Sequence, residues 1–180
     1  MISSTTKQNS DLPVSQFYNL CSNCTHQGCC TNFAAPLVFE NDLENLRQIN
    51  KAADNYIKDI QINNHNLKTI RKKDGTNNCI FWDNDIKKCG IYKNRPFDCS
   101  LYPFDIHFIN GKYRWVVYSC NPQSNWNWTE DYLKTFESDP RFLDIISNIE
   151  SFSDLNVIST LVGFAKETTF VVLREVDLHT

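Results

Sequence analysis

The chain of 180 residues is long enough for one domain with a real core and too short for two independent ones. Hydrophobic residues make up 41% and charged residues 22%, ordinary globular usage that excludes disorder except at the ends. A net charge of -3 pools too little Lys and Arg to neutralise a run of phosphates, which excludes nucleic acid as a partner and makes Arg71, Lys72 and Lys73 read as a solvated turn.

Residues 1–12 form a Ser/Thr/Asn/Gln-rich stretch that reads as a disordered tail, with 13–180 as a single domain. The opening MISSTTKQNSDLP lacks the apolar segment of a secretory signal, and no later window holds the roughly eighteen uninterrupted apolar residues of a membrane span. The expectation is a soluble cytoplasmic protein without membrane association. In a reducing cytoplasm the eight cysteines are not presumed to pair, so metal ligation leads; removal of a signal would instead permit a disulfide framework.

Leu37 to Phe39 is a short apolar run, followed by a helix that Asn41 or Asp42 can cap. Leu43, Leu46, Ile49, Ala53, Tyr56, Ile57 and Ile60 recur at three and four residues, which predicts one buried face. The run NCIFWD, 78–83, suits a strand, and a charged turn through Asp83 to Lys88 leads into CGIYKNRPFDCSLYPF. FDIHFINGKYRWVVYSC alternates about Asn110-Gly111, a pair that accepts the positive φ of a type I′ turn. A β-hairpin is expected here, returning Cys120 toward the start of its first strand. Thr129 can cap a helix with Tyr132, Leu133 and Phe136 inward, and Asp139-Pro140 opens another with Phe142, Ile145, Ile146, Ile149 and Phe152 on one face. TTFVVLREV reads as a final strand. The fold class is α+β: a small domain of helices with a short antiparallel sheet, its cysteine-bearing loops gathered around a metal or cluster site.

The cysteines fall into two groups. Cys21-x2-Cys24 lets two thiolates of one tight loop face the same ion, as zinc knuckles and iron-sulfur loops require. Cys29 and Cys30 are adjacent, and neighbouring side chains diverge, so one can ligate while the other serves a second metal or is buried. Cys79, Cys89 and Cys99 are each separated by nine residues, a spacing suited to ligands on three successive loops, and Cys120 follows the hairpin. The absence of a second Cys-x2-Cys departs from a zinc ribbon, and the dispersal departs from the bacterial ferredoxin run.

CSNCTHQGCC, then CIFWDNDIKKCGIYKNRPFDCSLYPF, then Cys120, resembles the YkgJ-like cysteine-cluster family, a zinc- or iron-chelating domain. Cys79-Ile80-Phe81, Cys89 with Ile91-Tyr92, Arg95-Pro96, Cys99 and Pro103-Phe104 fall on its pattern in order, with a motif core of 21–122. Thr25 to Gly28 lengthen the first loop, Ser100 stands where an arginine is usual, and Cys120 precedes Asn121-Pro122. The resemblance implies a cysteine-held metal or cluster. Some longer proteins with the module are flagellin lysine N-methylases and others are described as iron-sulfur oxidoreductases, so a modifying enzyme is a further alternative.

A zinc ion or cubane cluster held by four thiolates carries a net charge of about -2 and needs cations nearby. Arg95 is the candidate for that outer position, and Lys87, Lys88 and Lys93 read as solvated. His26, inside the first loop, is a minor candidate ligand; His107 reads as a packed or exposed strand residue. No acid-base constellation or Gly-rich phosphate loop supports catalysis. The expected cofactor is an iron-sulfur (4Fe-4S) cluster, with redox or electron transfer as its use and an unidentified protein partner or substrate; a structural zinc with an interaction role is the alternative. Eight thiols exceed what one zinc requires, which favours the cluster.

Overall fold

The computed structural model describes residues 35–118, 126, 129–162 and 170–179; the predicted N-terminal tail lies outside them. The architecture is α+β, with six α-helices and three small antiparallel sheets among the described residues. Among these residues no helix is long and apolar enough to cross a membrane.

Helix α1 spans Glu40–Ile49, with Leu43 and Leu46 buried and Ile49 exposed. Phe39, not Asn41 or Asp42, is the N-cap; Asp42 stands in the first turn and accepts the Phe39 N–H at 3.2 Å. The predicted apolar face runs on to Ile60, but the helix stops at Asn50, whose backbone is extended and whose side chain accepts the Ala52 N–H at 2.9 Å. A 3-10 turn, Ala53–Tyr56, follows. Ile57 and Ile60 then belong to strand β1, Ile57–Ile62, which pairs with β2, His65–Ile70, across a turn with Asn63 at φ 52°. Segment 36–38 lies beside β2, with Leu37 bridged to Thr69 and the Val38 N–H on the Lys68 carbonyl at 2.9 Å.

Of NCIFWD only Trp82–Asp83 is a strand, β3, paired with β4, Lys88–Cys89. The turn between them is the expected charged one, with the Asp83 carboxylate accepting the Asp85 and Ile86 N–H groups. A short helix, α2, covers Phe97–Leu101.

The predicted hairpin is present. Strand β5, Phe104–Ile109, pairs with β6, Lys112–Tyr118, around Asn110 at φ 53° and Gly111 at φ 78°, the left-handed pair that a type I′ turn demands. The C-terminal strand β7, Phe170–Glu175, adds to β6 in the order β5-β6-β7, with a register irregularity opposite Arg114 and Val116.

One sheet face presents Phe104, Ile106, Trp115 and Val117 to helices α3, Thr129–Glu137, α4, Phe142–Ser147, and α5, Ile149–Phe152. The second predicted helix is thus broken at Asn148, whose side chain donates to the Asp144 carbonyl. A sixth helix, α6, Leu155–Val162, completes the set among the described residues. Trp115 stacks on Phe142 at 5.7 Å, and Phe97 of α2 meets Phe136 and Phe142 edge-on. Helix α2 is therefore rooted in the main core.

Candidate metal centre

Cys79 and Cys89 are brought together by backbone pairing over 71–91. The Ile80 N–H bonds the Arg71 carbonyl at 3.0 Å, and the Lys73 N–H bonds the Asn78 carbonyl at 2.9 Å around a turn with Gly75 at φ 70°. Cys79 bridges Lys72, while Trp82 stands opposite Cys89 in the β3–β4 register and donates its N–H to the Cys79 carbonyl at 2.9 Å. The Gly90 N–H closes on the Phe81 carbonyl at 2.8 Å. Both cysteines are half-buried.

Burial pushes the Cys79 thiol up. The backbone N–H of Phe81 pulls it back down, the charge of Cys89 raises it again, and the Lys73 ammonium and the Trp82 N–H lower it. Two thiols that repel as anions, in a partly dry site with N–H groups aimed at one sulfur, form a donor set that a bound soft cation would relieve. The residues present fit a thiophilic metal.

Cys99 lies within α2, half-buried, and two carboxylates fix that helix. Asp42, itself buried, accepts the Phe97 N–H at 2.9 Å. Asp98 reaches back to the Leu37 N–H at 2.7 Å. Burial first, and then the nearby Asp105 charge, push the Asp98 carboxyl up to about 7, with the Leu37 N–H working against both. Val38, next in the chain, packs with Leu43 and Ile70 in a small cluster that Cys79, Ile80 and Ile91 cover. Both the Cys79 hairpin and the Cys99 helix thus border segment 37–38.

At the far end of β6, the Tyr118 N–H bonds the Pro103 carbonyl at 2.9 Å, beside the exit of α2. The Tyr118 hydroxyl donates to Asp105 at 2.7 Å and stands 2.9 Å from the His107 Nε2. His107 is thus packed, not exposed.

Of the predicted site residues, Cys21, Cys24, His26, Cys29, Cys30 and Cys120 lie outside the described residues. Among the described residues no three His, Cys, Asp or Glu side chains form a metal-holding group. Arg95 donates to the Tyr92 carbonyl at 2.7 Å and lies 3.8 Å over the Tyr92 ring, closing its own turn. Ser100, where the resemblance expects an arginine, is buried with its hydroxyl toward the Pro96 carbonyl. Lys73 corrects the reading of 71–73 as a solvated turn: it is half-buried, and its ammonium donates to the Trp82 carbonyl at 2.5 Å. Asp42, Lys73 and Asp98 were not evident as site residues, because their partners are backbone groups distant in sequence or on the neighbouring hairpin.

No solved structure matches the chain. Over 34 residues, 19% of the chain, it is 53% identical to the uncharacterised protein MJ0661 of Methanocaldococcus jannaschii, and it spans only 19% of that relative. The sequence model of the CxxCxxCC family, described as a "putative zinc- or iron-chelating domain", matches residues 20–121, over half the chain, and the chain belongs to this family.

Proposed function

We propose that the chain is a metalloprotein whose cysteines, Cys21, Cys24, Cys29, Cys30, Cys79, Cys89, Cys99 and Cys120, include the four thiolate ligands of an iron-sulfur cluster, with Cys29 and Cys30 dividing their roles. When bound, such a cluster supplies reversible one-electron chemistry, so electron transfer to a protein partner is the use we assign. A reducing cytoplasmic setting goes with this reading, since it keeps the thiols available.

The observation that carries it is the 2.7 Å bond from the Leu37 N–H to the Asp98 carboxylate. It joins the residue beside Cys99 to a position seven residues after Cys30, while β6 ends two residues before Cys120 next to Pro103. Cys79 packs against the same segment through Val38. The chain that follows the first cysteine group is thus bonded, from residue 37, to the helix that carries Cys99, which supports a site shared by the two groups. Hydrogen bonds to a thiolate sulfur, of the kind Phe81 and Trp82 direct at Cys79, favour ligation and tune potential.

The test is anaerobic purification followed by visible absorption and metal and sulfide analysis. Iron with equimolar sulfide and a visible sulfide-to-iron band is the expected result; a colourless protein with stoichiometric zinc would replace the cluster by a structural zinc site. Single Cys24→Ser, Cys89→Ser and Cys99→Ser variants should each lose metal. Full metal content in all three would remove the ligand assignment.

A further inference from the structure

We infer that Lys73 is the charge-compensating cation of the cysteine centre, its ammonium held over the Cys79–Cys89 hairpin by the Trp82 carbonyl. This rests on the reading that Cys79 and Cys89 are ligands.

The position is built, not incidental. The Lys73 backbone is locked at both groups: its N–H bonds the Asn78 carbonyl at 2.9 Å, and its carbonyl accepts the Thr76 N–H and hydroxyl, both at 3.1 Å. That turn sends a half-buried side chain back across the hairpin, where the ammonium meets the Trp82 carbonyl at 2.5 Å. Trp82 is the residue that touches both cysteines, through its N–H on the Cys79 carbonyl and its register opposite Cys89. The ammonium is therefore anchored on the residue that bonds one cysteine and faces the other.

Charge makes the placement consequential. A divalent metal or cluster held by four thiolates, Cys79 and Cys89 among them, carries a net charge of about -2 in a half-dry site, and a fixed ammonium acts there through a lower effective dielectric than water. Of the other cations of the region, Arg71, Lys87, Lys88 and Lys93 are exposed, Arg95 is committed to Tyr92, and Lys72 is half-buried with its backbone bridged to Cys79. Asp83 also feels the Lys73 charge, but it is exposed and occupied by the Asp85 and Ile86 N–H groups.

The test compares Lys73→Gln, which keeps a donor for the Trp82 carbonyl and loses the charge, with Lys73→Arg, which keeps both. Lys87→Gln, at the exposed hairpin tip, removes the same formal charge elsewhere. Co2+ binding to the anaerobic metal-free chain reports thiolate number by its charge-transfer band, and Zn2+ competition gives affinity. We expect Lys73→Gln to bind Zn2+ about tenfold more weakly, the effect of a single charge at intermediate dielectric, with the Co2+ band unchanged in intensity. Lys73→Arg and Lys87→Gln should stay within about twofold of the parent chain, a small fraction of one charge's effect. Equal affinity for Lys73→Gln and Lys87→Gln would overturn the assignment. So would parallel losses in Gln and Arg, a changed Co2+ band, or loss of fold in the Gln variant, each of which makes Lys73 a structural part of the turn. A parent chain with no thiolate-to-Co2+ band would instead refute the ligand reading itself.

Discussion

Asp42 joins fold to site, and its replacement separates the two. The carboxylate is 3% exposed and accepts two backbone N–H groups, Phe39 at 3.2 Å and Phe97 at 2.9 Å, so it holds the start of α1 against the start of the helix that carries Cys99. Asp42→Ala strands both donors. Each bond to a charged acceptor contributes about 1.5–3 kcal/mol, but burial of the carboxylate offsets part of it, leaving a net loss of about 2–3 kcal/mol. For a chain of this size that is a fall of roughly 5–10 °C in Tm, with Asn, which keeps one acceptor, about half as costly. Burial raises the Asp42 carboxyl above its usual value against both N–H bonds. The folded state therefore binds this proton more tightly than the unfolded one. Its contribution is fully present below the unfolded value and is lost as pH rises through the folded one. Asp42→Asn cannot titrate, so the gap between parent and Asn variant should favour the parent more at acid pH than at neutral pH. Thermal unfolding across pH, alongside Zn2+ affinity, reads both effects. Asp42→Ala with a Tm within about 2 °C of the parent would refute the energetics. Full destabilisation with unaltered metal affinity would refute the link between this carboxylate and the cysteine centre.

A second buried carboxylate, Glu137, accepts from the Trp115 indole at 2.8 Å, the Arg174 guanidinium at 2.9 and 2.6 Å and the Asp177 N–H at 3.0 Å. Glu137→Ala leaves the Trp115 indole and the Asp177 N–H without this acceptor and the Arg174 guanidinium with only Glu130 and the Glu175 carbonyl, and should cost about 3–5 kcal/mol in urea unfolding, whereas Lys112→Ala, which breaks the exposed Lys112–Glu175 pair, should cost no more than about 0.5 kcal/mol. Gly111→Ala meets no atom but forces a side chain to φ 78°, so a loss of about 1 kcal/mol with the hairpin retained is expected by the same assay. Metal removal by a chelator should leave the far-ultraviolet circular dichroism of sheet and helices largely intact, because the core of Phe104, Trp115, Leu133, Phe136 and Phe142 is formed without cysteine. Collapse of that signal would make the metal a requirement of the whole fold.

The parts legible in the sequence were those whose signal is local. Asn110-Gly111 states its own turn, and the helix of Tyr132, Leu133 and Phe136 announces its buried face by spacing. Tyr56, Ile57 and Ile60 misled because three- and four-residue spacing can continue through a 3-10 turn into a strand. Asn50 ends the helix by bonding its own chain, and Asn63 at positive φ makes the hairpin that follows. Helix α2 has five residues, too few for a periodic signal, and depends on Asp42 and Asp98 reaching backbone groups of distant segments. The cysteine spacing suggested three loops converging. It did not distinguish Cys79 and Cys89, joined through a minimal β-ladder, from Cys99, presented by a helix.

Why acidic residues should occupy the junction near a thiolate site follows from backbone accounting. Negative charge beside thiolates is unfavourable in itself, and the raised Asp98 carboxyl registers the cost of burial beside Asp105. Yet Leu37 and Phe97 begin segments whose N–H groups have no helical partner, and a buried N–H without an acceptor is costly too. A carboxylate accepts such bonds from outside the local chain, which a hydrophobic substitute of equal volume does not. A cysteine-bearing loop can therefore be fixed by one side chain without taking its backbone into a sheet, and its thiol remains available for metal. The opposing charge then has to come from elsewhere, and Lys73, held by the Trp82 carbonyl at the Cys79–Cys89 hairpin, is placed to supply it.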